Sequence, residues 1–190
     1  WIYVQFGCAK AGVILVTVNP NYRTLELEYL LKQSDCTTLF LVDGVRSKNE
    51  FFDMLNELCP ELKNSKPGAL HSPRLPALRN IVTLGMESCP GAFSWSDFLA
   101  GAEKVSRQDL AIRQDSLKSD DVIGMQYTSG TTGFPKGVML THANMIGNVI
   151  RVSEVLRFTP DDRLCIPVPF FHCFGSVLGT LLCAVNGATM

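Results

Sequence analysis

A chain of 190 residues is long enough for one well-buried core, and its 17 Lys plus Arg against 18 Asp plus Glu leave no basic excess to draw nucleic acid or an anionic membrane surface. Its seven cysteines (Cys8, Cys36, Cys59, Cys89, Cys165, Cys173, Cys183) are odd in number and never spaced as CxxC or CxxxC, which argues against a disulfide framework or a zinc site and for reduced core thiols in a cytosol-like compartment. No apolar run approaches the roughly 18 residues of a transmembrane helix, and the first residues lack the basic flank and cleavage site of a signal peptide, so a soluble protein is expected.

Taken in chain order, short β-branched or apolar runs alternate with stretches of helical period. A strand is expected over 13–18, a helix over 25–33, a strand over 37–42 and a helix over 49–58. Residues 60–76 carry four prolines with Ser65, Gly68 and Ser72, a composition that resists both helix and strand and reads as a surface loop rather than a linker. Strand 80–84, helix 94–103, strand 122–127, strand 138–141, helix 143–156, strand 163–168 and helix 176–185 follow. In 143–156 the residues Met145, Val149, Val152 and Leu156 form an apolar stripe, with Thr141 as the N-cap. This alternation makes the fold class α/β, sheets flanked by helices. The chain opens at Trp1 without a methionine and stops at Gly187-Ala188-Thr189-Met190, where a strand is starting, so residues 1–190 are expected to be part of one domain of a longer polypeptide.

The stretch between the strands 122–127 and 138–141 holds the chemistry. Gly130, Gly133 and Gly137 fall within eight residues, which lets backbone N–H groups turn inward into an anion-binding concavity. Thr128, Ser129, Thr131 and Thr132 add hydroxyl donors, Lys136 adds a positive charge, and Pro135 stiffens the chain before it. Together they describe a polyphosphate cradle, against the plain alternative of a Ser/Thr/Gly-rich surface hairpin. The kinase and GTPase P-loop, GxxxxGK[ST], shares the spacing of Gly130 and Lys136. It fails where Pro135 replaces its second glycine and Gly137 its magnesium-binding hydroxyl.

The order of these residues closely resembles the signature of the adenylate-forming superfamily of acyl-CoA synthetases, luciferases and peptide-synthetase adenylation domains. Its pattern [ST]-[ST]-G-[ST]-T-G-x-P-K-G is matched at every position from Thr128 to Gly137. Cys8-Ala9-Lys10-Ala11-Gly12, running into 13–20, is similar to the early KAG-x-x-x-x-P segment of that family. On its own residues it reads as a helix ended by Gly12 and then a strand, and no chemistry is assigned to it. Pro169-Phe170-Phe171-His172-Cys173-Phe174-Gly175-Ser176 resembles the later P-x-[FH]-H-x-x-G motif at the floor of the acyl and carboxylate pocket. Its aromatics suit an apolar acyl chain and the His172 imidazole suits the carboxylate. By themselves the residues read rather as a hydrogen-bonded core histidine, and the resemblance is what favours the pocket role for His172. A Cys173-His172 nucleophile is disfavoured, because sequence neighbours usually point apart and no orienting acid is evident. His71 and His142 have no such context.

The resemblance implies a two-step reaction: a carboxylate attacks the α-phosphate of ATP to give acyl-AMP and pyrophosphate, and a thiol, usually coenzyme A, takes the acyl group. It implies ATP phosphate-binding by Thr128, Ser129, Gly130, Thr131, Thr132, Gly133, Pro135, Lys136 and Gly137, and an acyl and carboxylate pocket from Phe171, His172, Cys173, Phe174 and Gly175. Mg2+ would accompany ATP without a protein ligand from this chain. The family's adenine site, magnesium-binding glutamate, hinge aspartate and C-terminal catalytic lysine follow later in its members, so this piece of the N-terminal AMP-binding domain is expected to be nearly inactive alone. A fatty or other apolar acid is implied, nearest to the medium-chain acyl-CoA synthetases, in the cytoplasm or, in a eukaryote, the mitochondrial matrix; a homo-oligomer is compatible. Alternatives within the fold are a peptide-synthetase domain, a luciferase-like enzyme, and a non-catalytic nucleotide-binding or interaction module.

Overall fold

The computed structural model describes residues 1–42, 50–85, 89–128 and 134–190. Its elements run α1 (Ile2–Ala11), β1 (Leu15–Val16), α2 (Thr24–Gln33), β2 (Thr38–Val42), α3 (Glu50–Leu58), a 3-10 turn (Pro60–Asn64), β3 (Asn80–Leu84), β4 (Phe93–Ser94) and α4 (Trp95–Ala100). A second 3-10 turn (Gly101–Lys104) leads to α5 (Arg107–Asp115), β5 (Val122–Tyr127), β6 (Gly137–Thr141), α6 (His142–Leu156), α7 (Cys173–Gly175), a π-helical segment (Ser176–Leu181) and α8 (Leu182–Asn186). The fold class is α/β. No described helix is long and apolar enough to cross a membrane. The chain divides into two compact units, residues 1–19 with 107–190, and residues 20–106.

In the 20–106 unit, β2, β3 and β4 form a parallel sheet, with Phe40 opposite Val82 and Val82 opposite Phe93. Helix α2 buries Leu27, Leu30 and Leu31, at offsets of three and four, and α3 buries Phe52, Leu55 and Leu58, at successive steps of three, which puts each set on one helical face. The 60–76 segment is not the plain surface loop that its composition predicts. Leu62, Leu70 and Leu75 are buried there, because an irregular backbone can still send widely spaced leucines inward while its prolines keep it out of helix and strand. Arg74 of the same segment pairs with Glu28 of α2, which also meets Lys32 at 2.6 Å. These two cations hold the Glu28 carboxyl down at about 2, Arg74 first and Lys32 second.

In the other unit, β5 is central, parallel to β1 through Leu15 and Gly124 and antiparallel to β6 through Tyr127 and Gly137. Helix α1 ends where Gly12 turns left-handed at φ 64, as the sequence implies. Helix α6 starts on a capping box: Asn144 N–H donates to Thr141 Oγ1 at 3.1 Å and Thr141 N–H to Asn144 Oδ1 at 3.2 Å. Of its stripe, Val149 is buried against Val177, Leu181 and Leu182 with Met145 and Val152 alongside, whereas Leu156 is 59% exposed and drops out of the core. The strand expected over 163–168 is not formed. A single parallel bridge joins Arg163 to Thr189, and Pro167 and Pro169 have no N–H to extend a ladder.

Candidate functional site

The antiparallel pairing of Tyr127 with Gly137 sets Thr128 and Lys136 face to face where β5 leaves the sheet and β6 enters it. Thr128 N–H donates to Lys136 O at 3.0 Å and Lys136 N–H donates to Thr128 Oγ1 at 3.4 Å, closing the neck of the connection. Ser129, Gly130, Thr131, Thr132 and Gly133 lie outside the described residues. Pro135 is half-buried at the neck, while Lys136 is exposed and, among the described residues, enters no ion pair. Gly137 has close neighbours: a Cβ there would come within 2.8 Å of Met125 Sδ and 3.2 Å of Tyr127 Cζ, so the neck takes its narrow form around a residue without a side chain.

The second group of sequence-selected residues sits at the start of the last helical stretch of the same unit. Phe171 is half-buried, His172, Cys173 and Phe174 are exposed, and Gly175 is buried. His172 is the N-cap of α7, with Nδ1 accepting the Phe174 backbone N–H at 3.2 Å. In the neutral ring this hydrogen bond assigns the proton to Nε2, which leaves an N–H donor on the far edge of the imidazole. The Cys173 thiol does not point away from its neighbour, since Sγ lies 3.7 Å from the same Nδ1. That nitrogen is already occupied by the Phe174 amide, so it is a poor base for the thiol. Gly175 is required by packing: an added Cβ would overlap Pro169 O and come to 2.7 Å from Pro169 C and 3.0 Å from Phe170 Cα, all backbone atoms that cannot rotate aside.

The two groups are joined by polar residues to which sequence reading assigned no role. Gln126, the residue before Tyr127 at the end of β5, donates from Nε2 to Ser176 Oγ at 3.0 Å, and Ser176 Oγ donates to His172 O at 3.1 Å. From α1, Gln5 Nε2 donates to Ser176 O at 2.9 Å. Thr180 Oγ1 lies 2.6 Å from Ser176 O and 2.9 Å from Gln5 Oε1, with one proton for the two. Gln126 and Ser176 flank the two motifs, but nothing in a linear sequence shows that they meet. Gln126 and Ser176 line a cavity of about 140 Å³ together with Phe6, Leu15, Met145 and His142 among others. His142 Nε2 is buried and has no hydrogen-bond partner among the described residues. Those residues also contain no cluster of three or more His, Cys, Asp or Glu side chains able to hold a metal ion.

The described residues thus place an exposed lysine at a hairpin neck and, through Gln126 and Ser176, join the strand that ends there to a histidine that caps a helix start in an aromatic segment. The chain belongs to the AMP-binding enzyme family, whose profile matches residues 1–190. It is 51% identical over 190 residues to YngI of Bacillus subtilis strain 168, which carries the name acyl-CoA synthetase by assignment. It is 38% identical over 195 residues to the human mitochondrial medium-chain acyl-CoA ligase ACSF2. All of this chain is matched in both cases, but it spans only 34% and 31% of those relatives, about a third of their length. Among solved structures, the anthranilate CoA ligase AuaEII in complex with anthranoyl-AMP superposes with a TM-score of 0.75 at 23% identity, over 100% of this chain and 32% of that one. ATP-bound MatB from Rhodopseudomonas palustris gives a TM-score of 0.64 at 21% identity, over 98% of this chain and 31% of that one. At these identities the likeness is one of fold.

Proposed function

We propose that residues 1–190 form part of the N-terminal AMP-binding domain of a protein that activates a carboxylic acid with ATP and passes the acyl group to coenzyme A. The observation that carries this reading is the ten-residue match from Thr128 to Gly137, set on a neck closed by the Thr128–Lys136 hydrogen bonds in a chain of the AMP-binding family. In the first step a carboxylate oxygen forms a bond to the α-phosphorus of ATP and the bond to pyrophosphate breaks. In the second, the thiol sulfur of coenzyme A attacks the acyl carbon, AMP leaves, and the thiol proton goes to solvent.

Within this scheme the hydroxyls, glycine amides and Lys136 of the 128–137 segment hold the phosphates of Mg·ATP, and the lysine charge offsets the negative charge that grows on departing pyrophosphate. The donor set fits that role, since Lys136 is exposed and meets no carboxylate among the described residues. The magnesium enters on the nucleotide. His172 presents Nε2–H to the acid's carboxylate, while Phe171 and Phe174 offer apolar surface to its chain. A fatty or otherwise apolar acid of medium length is supported by those aromatics and by the name of the human relative, and a reducing compartment by seven cysteines whose number and spacing suit no disulfide framework. The experiment is ATP–pyrophosphate exchange by the full-length parent across carboxylic acids of increasing length: saturable exchange with an apolar acid is expected, and no acid-dependent exchange with any of them would sink the assignment.

A further inference from the structure

We infer that Gln126 and Ser176 are positioning residues that fix His172 in register with the phosphate loop; this rests on the function proposed above. Gln126 stands two residues before Thr128, near the end of the strand that leads into the 128–137 segment. Its side chain is tied not to its own sheet but to Ser176, in the first position of the π-helical segment and next to Gly175. Ser176 Oγ in turn is tied to the carbonyl of His172. Two hydrogen bonds in series therefore run from the strand that carries one substrate's loop to the residue proposed to meet the other substrate.

The directionality of the links is what makes them specific. The Ser176 hydroxyl has one proton, which it gives to His172 O; it can therefore only accept from Gln126, and Gln126 must present its amide N–H rather than its carbonyl. Ser176 is 4% exposed and Thr180 is fully buried, so both hydroxyls depend on partners inside the fold. The π-helical turn that starts at Ser176 adds to the case, because its carbonyl is bonded by Gln5 Nε2 and approached by the Thr180 hydroxyl, gripping the segment from α1 as well. A plain structural role predicts loss of stability alone when these bonds are removed. A positioning role predicts a change in how the acid is held while ATP is held as before.

The test is pyrophosphate exchange by the full-length parent carrying Gln126→Met, Gln126→Glu, Ser176→Ala and the Gln126→Met/Ser176→Ala pair. Gln126→Glu keeps the shape but offers the hydroxyl only acceptors, drawing its proton away from His172 O. Each single variant is expected to raise KM for the acid by ~10-fold, equivalent to ~1.4 kcal/mol, with KM for ATP within about twofold of wild type. The double variant is expected to cost no more than one single variant, because both break the same chain of bonds. Folded single variants with unchanged acid KM, or with both KM values raised in parallel, overturn the inference. Ser176→Ala, the smallest change, decides the matter if the Gln126 variants do not fold. An inactive wild-type parent overturns the functional reading itself, and is distinguishable because it appears before any substitution is made.

Discussion

His172 Nδ1 accepts the backbone N–H of Phe174 at 3.2 Å, so one ring nitrogen serves the helix cap and the other is left with the proton. Structure and proposed chemistry therefore depend on opposite edges of one imidazole, and substitution separates them. Asparagine is a favoured N-cap and is expected to hold the Phe174 amide, keeping stability near wild type while losing the outward Nε2–H. His172→Ala is expected to lose both, with about 1 kcal/mol of stability gone as well. Denaturant unfolding of the full-length parent beside acid KM measurements checks this. If His172→Asn keeps the wild-type acid KM, the outward edge does not meet the carboxylate.

Lys136 sits at the neck of the 128–137 connection, exposed and without an ion pair among the described residues. Its removal leaves no buried charge stranded, so Lys136→Ala is expected to leave the unfolding midpoint unchanged. Adenylation is expected to fall by ~10²-fold, the scale of losing one preorganised group that stabilises developing charge. Single-turnover formation of acyl-AMP reads this directly. A fall in stability of the same size as the fall in rate would assign the lysine to the fold.

Gly175 has no space for a methyl group, because the obstacles are the Pro169 carbonyl and the Phe170 Cα. Gly175→Ala is expected to cost ~1–3 kcal/mol through displacement of the 169–171 backbone, the usual scale of overpacking. Gly147, on α6, has nothing within 4 Å of a built Cβ and serves as the control: Gly147→Ala is expected to be neutral or stabilising, since alanine is the better helix former. Chemical denaturation of the two variants side by side checks the contrast. Equal effects would mean that the segment around Pro169 yields without strain.

Much of the fold was legible because its signals are local. β3 and β5 fall on the expected residues 80–84 and 122–127, and Thr141 caps α6 as its hydroxyl and the following apolar period imply. Helix α5 was missed because Arg107–Asp115 is charged on most faces and buries none of its residues. It is tied to α1 by Arg113, which donates to Ala11 O at 2.8 Å and Gly12 O at 3.2 Å across 101 residues or more of sequence. A separation of 50 residues likewise hid the link between the two motifs. Gln126 and Ser176 each read as a flanking polar residue, and only the fold makes them a donor and an acceptor 3.0 Å apart. In 60–76 composition was misleading in the other direction, since four prolines exclude regular structure without excluding burial.

Glu28 gives a pH dependence with a definite sign. Its carboxyl, ordinarily at 4.5, is held at about 2 by hydrogen bonds from Arg74 and then Lys32. A folded-state value below the unfolded one stabilises the native state when the group is ionised in both, which is above about pH 4.5, and that contribution is lost as pH falls from there through about 2. Arg74→Gln removes the larger cause and leaves Lys32 in place, so the variant is expected to be less stable than wild type near neutrality. The gap is expected to narrow at pH values below 4.5, once the Glu28 carboxyl of the variant begins to protonate, and to vanish as pH falls through about 2, while the other carboxylates titrate alike in both proteins and cancel in the difference. Urea unfolding of both proteins at several pH values across that interval checks it. A gap of constant size from neutrality down to about pH 2 would show that Arg74 stabilises the 20–106 unit by packing its side chain rather than by holding the charge on Glu28.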